Sequence, residues 1–220
     1  MVTIYLPSEL LLKEIKEKGT LDKPLIITLP TYSNQLRKFI ASDKKDVLFT
    51  IQVPRVLHLN SQARMNYILD KKILQAASAN KINIQVSVVD EEGREYYSWY
   101  FNGEQLSQAK AVKNNINLSL DLLSMKNAAK LNKNLLSYEN REGFVITFSQ
   151  KSSLPASATI RIYVGDQEGI VTGDKLYLYH YNSKKKTYEK IPNSSHYVVD
   201  KEGYITIETS NCNDILVLKQ

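Results

Sequence analysis

The sequence predicts a mainly β protein of the α+β class, in two modules that divide near residue 62. Strand and helix signals alternate through residues 1–62, which indicates a small α+β module. From residue 143 onward, short segments of alternating polar and apolar residues recur every ~8–12 residues between polar turns, as in antiparallel sheets. The 220 residues include 14 tyrosines but only 8 glycines and 6 prolines, which favours half-exposed strand positions. We therefore expect residues 63–220 to form an antiparallel, sandwich-like β module.

The first module combines three short strands with two helices. Residues 2–6 alternate apolar and polar side chains, and residues 24–29 and 46–53 are apolar segments of strand length. Ser8 and Ser33 each precede apolar residues at helical spacing, where a serine hydroxyl caps the first backbone N–H groups. The predicted order is therefore strand, helix, strand, helix, strand.

The second module begins with a helix and a hairpin. Asp70 is a good N-cap for a helix that we expect to extend through Ala79, with Asn80 in the left-handed conformation that terminates helices. Residues 82–89 and 94–101 are predicted strands joined by the Asp90–Gly93 turn, in which the aspartate bonds its own backbone and the glycine takes a positive φ. The sequence further predicts a turn at Asn102-Gly103, a strand over residues 116–122 and a helix over residues 124–136.

In the C-terminal part of the chain, the sequence predicts strands and no helix. Its turn over residues 199–203 repeats the Val-Asp-x-Glu-Gly pattern of residues 89–93. Shared turn chemistry accounts for this similarity, which is weak evidence for an internal repeat. The predicted strands cover residues 144–148, 158–164, 175–181, 187–191, 196–199, 204–208 and 215–218.

The net charge of +6 restricts the classes of partner without identifying one. The lysines are scattered in doublets and one triplet, and the chain has neither an arginine-rich helix nor the aromatic-glycine motif of RNA-recognition domains. We therefore interpret the lysines as a solvated surface and predict no nucleic-acid partner. No apolar run approaches the ~18–20 residues of a membrane helix, so we expect no membrane span.

The residue patterns predict no catalytic, cofactor or metal site. Residues 91–92 and Glu202 lie in predicted hairpin turns, where carboxylates are usually solvated rather than paired across a cleft as in a glycosidase. Cys212 has His196 as its nearest histidine in sequence, in what reads as a facing strand, so we expect a small buried side chain. The acidic loop over residues 165–169 lacks the ligand alternation of an EF-hand and is predicted to be a polar turn.

Two tyrosine-rich strands and a lysine triplet supply the candidate ligand-binding residues. In the strand over residues 94–101, alternation places Trp99 on the core face and two tyrosines on the other face, where exposed rings can stack on sugars. In the strand over residues 175–181, three tyrosines share one face, and the loop that follows holds the lysines. The candidates are Tyr96, Tyr100, Tyr177, Tyr179, Tyr181, Lys184, Lys185 and Lys186.

Several segments within residues 64–220 resemble a known module. They are SWYFNGEQL (98–106), NINLSLDLL (115–123), LPASATIRIYVGDQEGIVTGDKLYLYHYN (154–182), IPNSSHYVVDKEGYITI (191–207) and SNCNDILVL (210–218). Together they resemble a non-catalytic β-rich module of secreted and cell-surface proteins of clostridia and related Firmicutes, which often lies beside S-layer-homology or immunoglobulin-like repeats. The last segment departs from the pattern of that module at Asn211, Asn213 and Ile215.

The resemblance implies an exported protein at the bacterial cell surface, in which this chain is a structural or adhesive module beside other domains. The N-terminal residues lack the basic start and long apolar core of a signal peptide, which indicates either a cytoplasmic protein or a chain whose export signal has been removed. The resemblance favours the second alternative. The tyrosines and lysines indicate an alternative, a module that binds carbohydrate or a cell-wall polymer. Cell-wall polysaccharide and teichoic acid are the expected partners.

Overall fold

The structure, a computed structural model, confirms the mainly β, α+β fold class. The helices predicted after Ser8 and Ser33, the module boundary near residue 62 and His196 lie outside the residues that it describes. The described residues are 2–6, 25–28, 46–52, 65–109, 112–191 and 197–220.

The chain divides into two compact units that follow a different course from the predicted modules. Strand β3 (Asp46–Gln52), from the predicted first module, pairs in parallel with β5 (Asn83–Val89) of the second. Parallel neighbours are separated in sequence by a crossover, so sequence order does not reveal which strands pair. Unit 1 comprises Met1–Ser119, Ser153–Ile160 and Glu208–Asn211, and unit 2 comprises Leu120–Ser152, Arg161–Ile207 and Cys212–Gln220.

Unit 1 contains a larger and a smaller sheet. In the larger sheet β1 (Val2–Leu6), β3 and β5 run parallel, and β6 (Glu95–Phe101) is antiparallel to β5. Strands β10 (Ser153–Tyr163) and β14 (Tyr204–Asn211) complete the order β1-β3-β5-β6-β10-β14, and each of these two strands belongs partly to unit 2. The smaller sheet is formed, in order, by β2 (Leu25–Thr28), β4 (Met65–Leu69) and β7 (Ile116–Asn117).

Helix α1 (Lys71–Asn80) begins where the sequence predicts. The Asp70 side chain caps it by accepting a hydrogen bond from a first-turn backbone N–H at 2.7 Å. The predicted end is wrong by one residue, because Lys81 rather than Asn80 takes the left-handed conformation, with φ 53°. Asn80 stays in the last helical turn, where its side-chain amide donates to the Ala76 carbonyl oxygen at 2.8 Å.

The Asn102-Gly103 pair begins a helix, so the predicted turn is wrong. Helix α2 (Gly103–Gln108) is N-capped by Asn102, whose side chain accepts a hydrogen bond from the Gln105 backbone N–H at 3.1 Å. Asparagine favours both turns and N-caps, so the dipeptide alone does not distinguish them. Gly103 also permits a close approach, since a Cβ there would lie 2.3 Å from the Lys81 carbonyl carbon.

The strand predicted over residues 116–122 is divided between the two units. Strand β7 pairs with β4 in unit 1, and β8 (Leu120–Ser124) pairs with β9 (Gly143–Phe148) in unit 2. Between them the Leu118 backbone N–H donates to the Tyr67 carbonyl oxygen at 2.8 Å. The apolar alternation continues while the partner strand changes, so the pattern gives no sign of the break.

Unit 2 is built on one sheet, and the strands of this sheet pair antiparallel, which is the pairing predicted for the C-terminal strands. Strands β11 (Lys175–Asn182), β12 (Thr187–Lys190) and β15 (Ile215–Lys219) join β8 and β9 in the order β12-β11-β15-β9-β8. The short β13 (Tyr197–Val198) pairs with the beginning of β11.

Two short helices cover part of one face of this sheet. Helix α3 (Met125–Leu131) begins after the N-cap Ser124, and a 3₁₀ helix (Lys133–Tyr138) follows it, so the helix predicted over residues 124–136 is present in two pieces. We call residues 125–138 the helical cap. Its inward side chains pack against the sheet residues Val145, Leu216 and Leu218; they are Met125, Ala128, Ala129 and Leu135.

The two predicted Asp-x-x-Gly turns are confirmed and share one geometry. Asp90 Oδ1 accepts from the backbone N–H groups of residues 92 and 94, at 3.1 and 2.7 Å. Asp200 Oδ1 accepts from those of residues 202 and 204, both at 2.9 Å. Gly93 and Gly203 have φ values of 84° and 87°, which L side chains rarely adopt. Each aspartate therefore organises its turn from within.

Candidate functional site

Trp99 of β6 is confirmed as a core residue. It is 0% exposed, and its Nε1–H donates to the Leu118 carbonyl oxygen at 2.9 Å. Its ring stacks on that of Phe101, with centroids 6.1 Å apart and an interplanar angle of 9°. The indole therefore has both its apolar area and its polar N–H satisfied within unit 1.

Tyr96, a predicted ligand contact on an exposed face of β6, is instead buried. Only 8% of it is exposed, while Tyr100 is half-buried. The register shifts at this point, with Val88 opposite Tyr97 but Val89 opposite Glu95, so Tyr96 is the extra residue of a β-bulge. The simple alternation used to assign its face does not hold across such a bulge, and little of its ring is open to a ligand.

The three predicted tyrosines of β11 lie on one face of the unit 2 sheet. Tyr177, Tyr179 and Tyr181 are all partly exposed. The neighbouring β12 adds Tyr188 opposite Tyr181 and Lys190 opposite Tyr179. We call these five residues the tyrosine face.

The tyrosine face stays partly open because the helical cap covers only part of the sheet. The cap packs against β8, β9 and β15 through Leu123, Val145 and the leucines of β15. Tyr179 and Tyr188 pack against this cluster as partly buried side chains. The tyrosine face therefore lies over β11 and β12, beside the helical cap.

Tyr188 of the tyrosine face contacts the helical cap. Its ring lies 5.3 Å from that of Tyr181 and 5.8 Å from that of Tyr138, in tilted and edge-on arrangements. Its hydroxyl oxygen accepts a hydrogen bond from the Asn132 side-chain amide at 3.3 Å. Burial, with a smaller contribution from the negative charge of Asp214, raises the pKa of Tyr188 above its ordinary value. The hydroxyl is therefore held in its neutral, hydrogen-bonding form.

Lys190 belongs to the tyrosine face and contacts an aromatic ring. Its ammonium nitrogen is 3.7 Å from the centroid of the Tyr177 ring, a cation–π distance. The Tyr177 hydroxyl donates to Gln220 Oε1 at 3.1 Å. These contacts hold one positive charge against an aromatic surface, where an anionic group can reach it.

The lysine triplet lies in the β11–β12 turn and is exposed, as predicted. Asn182 Oδ1 accepts from the backbone N–H groups of Lys184 and Lys185, at 3.0 and 3.2 Å, and Lys186 has a φ of 53°. The Lys185 ammonium pairs with Glu189 at 2.7 Å, and this hydrogen bond raises the pKa of Lys185. Lys184 and Lys186 take no part in this ion pair.

Three residues of this site were not predicted: Tyr138, Tyr188 and Lys190. Hairpin register would have found two of them, because a turn at residues 183–186 places residue 188 opposite 181 and residue 190 opposite 179. No sequence signal brings Tyr138 to the same place, since it comes from the helical cap.

Cys212 is buried, as predicted. It is 0% exposed, and burial raises its pKa to about 11, so the thiol is protonated and a poor nucleophile at neutral pH. Among the described residues, no three His, Cys, Asp or Glu side chains come together as a metal site requires. The acidic residues of the 165–169 loop, Asp166 and Glu168, are exposed.

Comparisons with known protein families, with curated proteins and with solved structures found no match to the chain. The resemblance to a clostridial surface module therefore stays a prediction. None of the helices in the described part of the chain has the length and apolar character that a membrane crossing requires.

Proposed function

We propose that this chain is a non-catalytic adhesive module of an exported bacterial cell-surface protein, and that its tyrosine face binds an anionic cell-wall glycopolymer such as teichoic acid. The cell-surface location rests on the sequence resemblance described above. The binding role rests on one observation, the meeting of tyrosine rings and lysine ammonium groups on β11 and β12.

The chemistry of the tyrosine face suits a sugar chain that carries negative charge. Partly exposed tyrosines offer apolar ring faces with hydroxyl groups at their edge, a combination that packs against sugar rings and bonds their hydroxyls. Lys190 lies among these rings, and the exposed Lys184 and Lys186 stand at the end of the same hairpin. Phosphate or carboxylate groups of a bound chain would therefore meet positive charge along its length.

Retention on purified Gram-positive cell walls tests the proposal. Tyr181→Ala and Tyr177→Ala each remove one ring from the tyrosine face, and we expect each to reduce retention about three- to tenfold. Tyr100→Ala is the matched control, because Tyr100 is a half-buried tyrosine of β6 in unit 1. Equal loss in all three variants, or in none, would contradict the assignment of the site to β11 and β12.

The lysines provide a second arm of the test. Replacing Lys184, Lys185 and Lys186 with Gln should lower retention on the walls, and wild-type retention should fall steeply with added salt, since exposed charges are screened beyond ~8–10 Å. The melting temperature should be nearly unchanged, because exposed charges contribute little to folding. Retention that ignores both changes would show that the turn is only solvated.

A neutral polysaccharide is the alternative ligand for the same tyrosine face. In that case the tyrosine variants would lose retention while the lysine variant and salt would not matter. Walls stripped of teichoic acid separate the two ligands directly, because they retain the protein only if the ligand is the remaining polysaccharide.

A further inference from the structure

The helical cap exposes two leucines that its own packing does not use. Leu131, the last residue of α3, is 75% exposed, and Leu136 of the 3₁₀ helix is 53% exposed. The described residues contain two other exposed large hydrophobics, Val171 and Val198, which lie outside the cap. The cap therefore has an inward apolar side against the sheet and, apart from it, two exposed leucines.

The same fourteen residues carry positive charge only. Lys126, Lys130 and Lys133 are exposed, and residues 125–138 contain no Asp or Glu. Exposed leucines and lysines within one short segment, with no carboxylate among them, are complementary to a surface that is apolar below and negatively charged above.

These residue types favour a lipid surface over a protein partner. Protein–protein interfaces are enriched in arginine and depleted in lysine, and their main contacts are large side chains seated in pockets. A second copy of the chain is disfavoured as well, because a symmetric contact through the cap would bring six lysines together. A sugar–phosphate chain would use the lysines but would gain little from the leucines.

We propose that the helical cap docks on the anionic headgroup surface of a phospholipid bilayer. Leu131 and Leu136 enter the interface between headgroups and acyl chains. Lys126, Lys130 and Lys133 remain at the level of the lipid phosphates, with their aliphatic stems along the apolar side. This contact is peripheral and is independent of the tyrosine face.

Co-sedimentation of the full chain with phospholipid vesicles tests this contact. The wild-type protein should bind vesicles that contain phosphatidylglycerol and should not bind vesicles of phosphatidylcholine alone. Leu131→Ser with Leu136→Ser should lower the partition coefficient about tenfold or more, because two apolar insertions are lost. Replacing Lys126, Lys130 and Lys133 with Gln should lower it roughly a hundredfold at low salt.

Two matched variants control for general loss of apolar or basic surface. Val171→Ser with Val198→Ser removes the other exposed large hydrophobics of the described residues, and replacing Lys71, Lys72 and Lys113 with Gln removes an equal number of exposed charges from unit 1. Both should sediment like the wild type. Binding that survives the leucine change, binding that is lost equally in a control, or no binding to anionic vesicles would each overturn the proposal. A dimer in the absence of vesicles that Leu131→Ser dissociates would also overturn it, in favour of a second copy.

Discussion

The two tyrosine-rich strands, β6 in unit 1 and β11 in unit 2, show how similar sequences give different surfaces. Each lies inside its sheet, β6 between β5 and β10 and β11 between β12 and β15. On β6, side chains of both faces are buried from Tyr96 to Trp99. On β11, the leucines of one face are buried, while the tyrosines of the other remain partly exposed.

On β6 a bulge at Tyr96 accompanies the burial of both faces, whereas on β11 the tyrosine face is only partly covered. The helical cap packs over β8, β9 and β15, and Tyr179 of β11 and Tyr188 of β12 pack at the margin of this cluster as partly buried side chains. A tyrosine at such a margin buries its ring edge while its hydroxyl and part of its face stay accessible. Tyrosine content alone therefore does not distinguish the buried tyrosines of β6 from the partly exposed tyrosines of β11.

The largest contrast is expected between the centre of β6 and the margin of β11. Trp99→Ala should cost about 4 kcal/mol of unfolding free energy, because it leaves a cavity and an unpaired Leu118 carbonyl oxygen. Chemical denaturation measures this cost, and wall retention of the folded fraction should not change. A cost below about 1 kcal/mol would show that unit 1 lacks the packed core described here.

Tyr96 and Tyr177 test the same contrast with one residue type. Tyr96→Ala should cost about 3 kcal/mol, since the side chain is 8% exposed, and Tyr177→Ala about 1 kcal/mol, since that side chain is partly exposed. The two values come from denaturant midpoints measured under one set of conditions. Equal costs would remove the distinction between the strands.

Stability at alkaline pH tests the burial of Tyr188, where the tyrosine face meets the helical cap. Its pKa is raised in the folded state, mainly by burial, so the folded protein holds this proton more tightly than the unfolded chain. Its contribution to stability is complete below the unfolded pKa of ~10 and is lost as pH rises through the folded value. Tyr188→Phe should flatten the fall in stability above that pH, and identical pH profiles for both proteins would contradict the burial of this hydroxyl.

The smallest expected effect is the contact between Lys190 and Tyr177. A double-mutant cycle with Lys190→Met and Tyr177→Leu should give a coupling energy of about 0.5–1 kcal/mol, because the ammonium lies over the ring at an exposed site. Thermal or chemical denaturation of the four proteins provides the cycle. Coupling indistinguishable from zero would mean that the lysine does not rest on the ring in solution.

Local chemistry made much of the fold predictable from the sequence. The Asp90 and Asp200 turns follow from an aspartate that bonds its own backbone and a glycine at positive φ, both within four residues. The N-cap Asp70 and the strands after residue 143 are equally local. Such features need no knowledge of distant partners, so composition and spacing are sufficient.

Features that depend on distant partners were missed. The left-handed residue after α1 is Lys81 rather than Asn80, and a helix rather than a turn follows Asn102. Asparagine suits several local structures, so its position alone does not decide between them. A close approach of Gly103 to Lys81 accompanies the observed arrangement. The burial of Tyr96 depends on a bulge against β5. In the candidate site, Tyr138 arrives from the helical cap, and neither its sequence neighbours nor its spacing indicates the contact with Tyr188.

Backbone amide chemical-shift mapping during titration with purified teichoic acid tests the central claim most directly. The account predicts saturable shifts concentrated in β11, β12 and their turn, over residues 175–190, that are weakened both in the variant with Gln at positions 184–186 and by Tyr181→Ala. Residues of β6 around Tyr96 and Tyr100 should not shift. Shifts centred on β6, or no shifts on β11 and β12 at any polymer concentration, would contradict the claim that the tyrosine face is the binding surface.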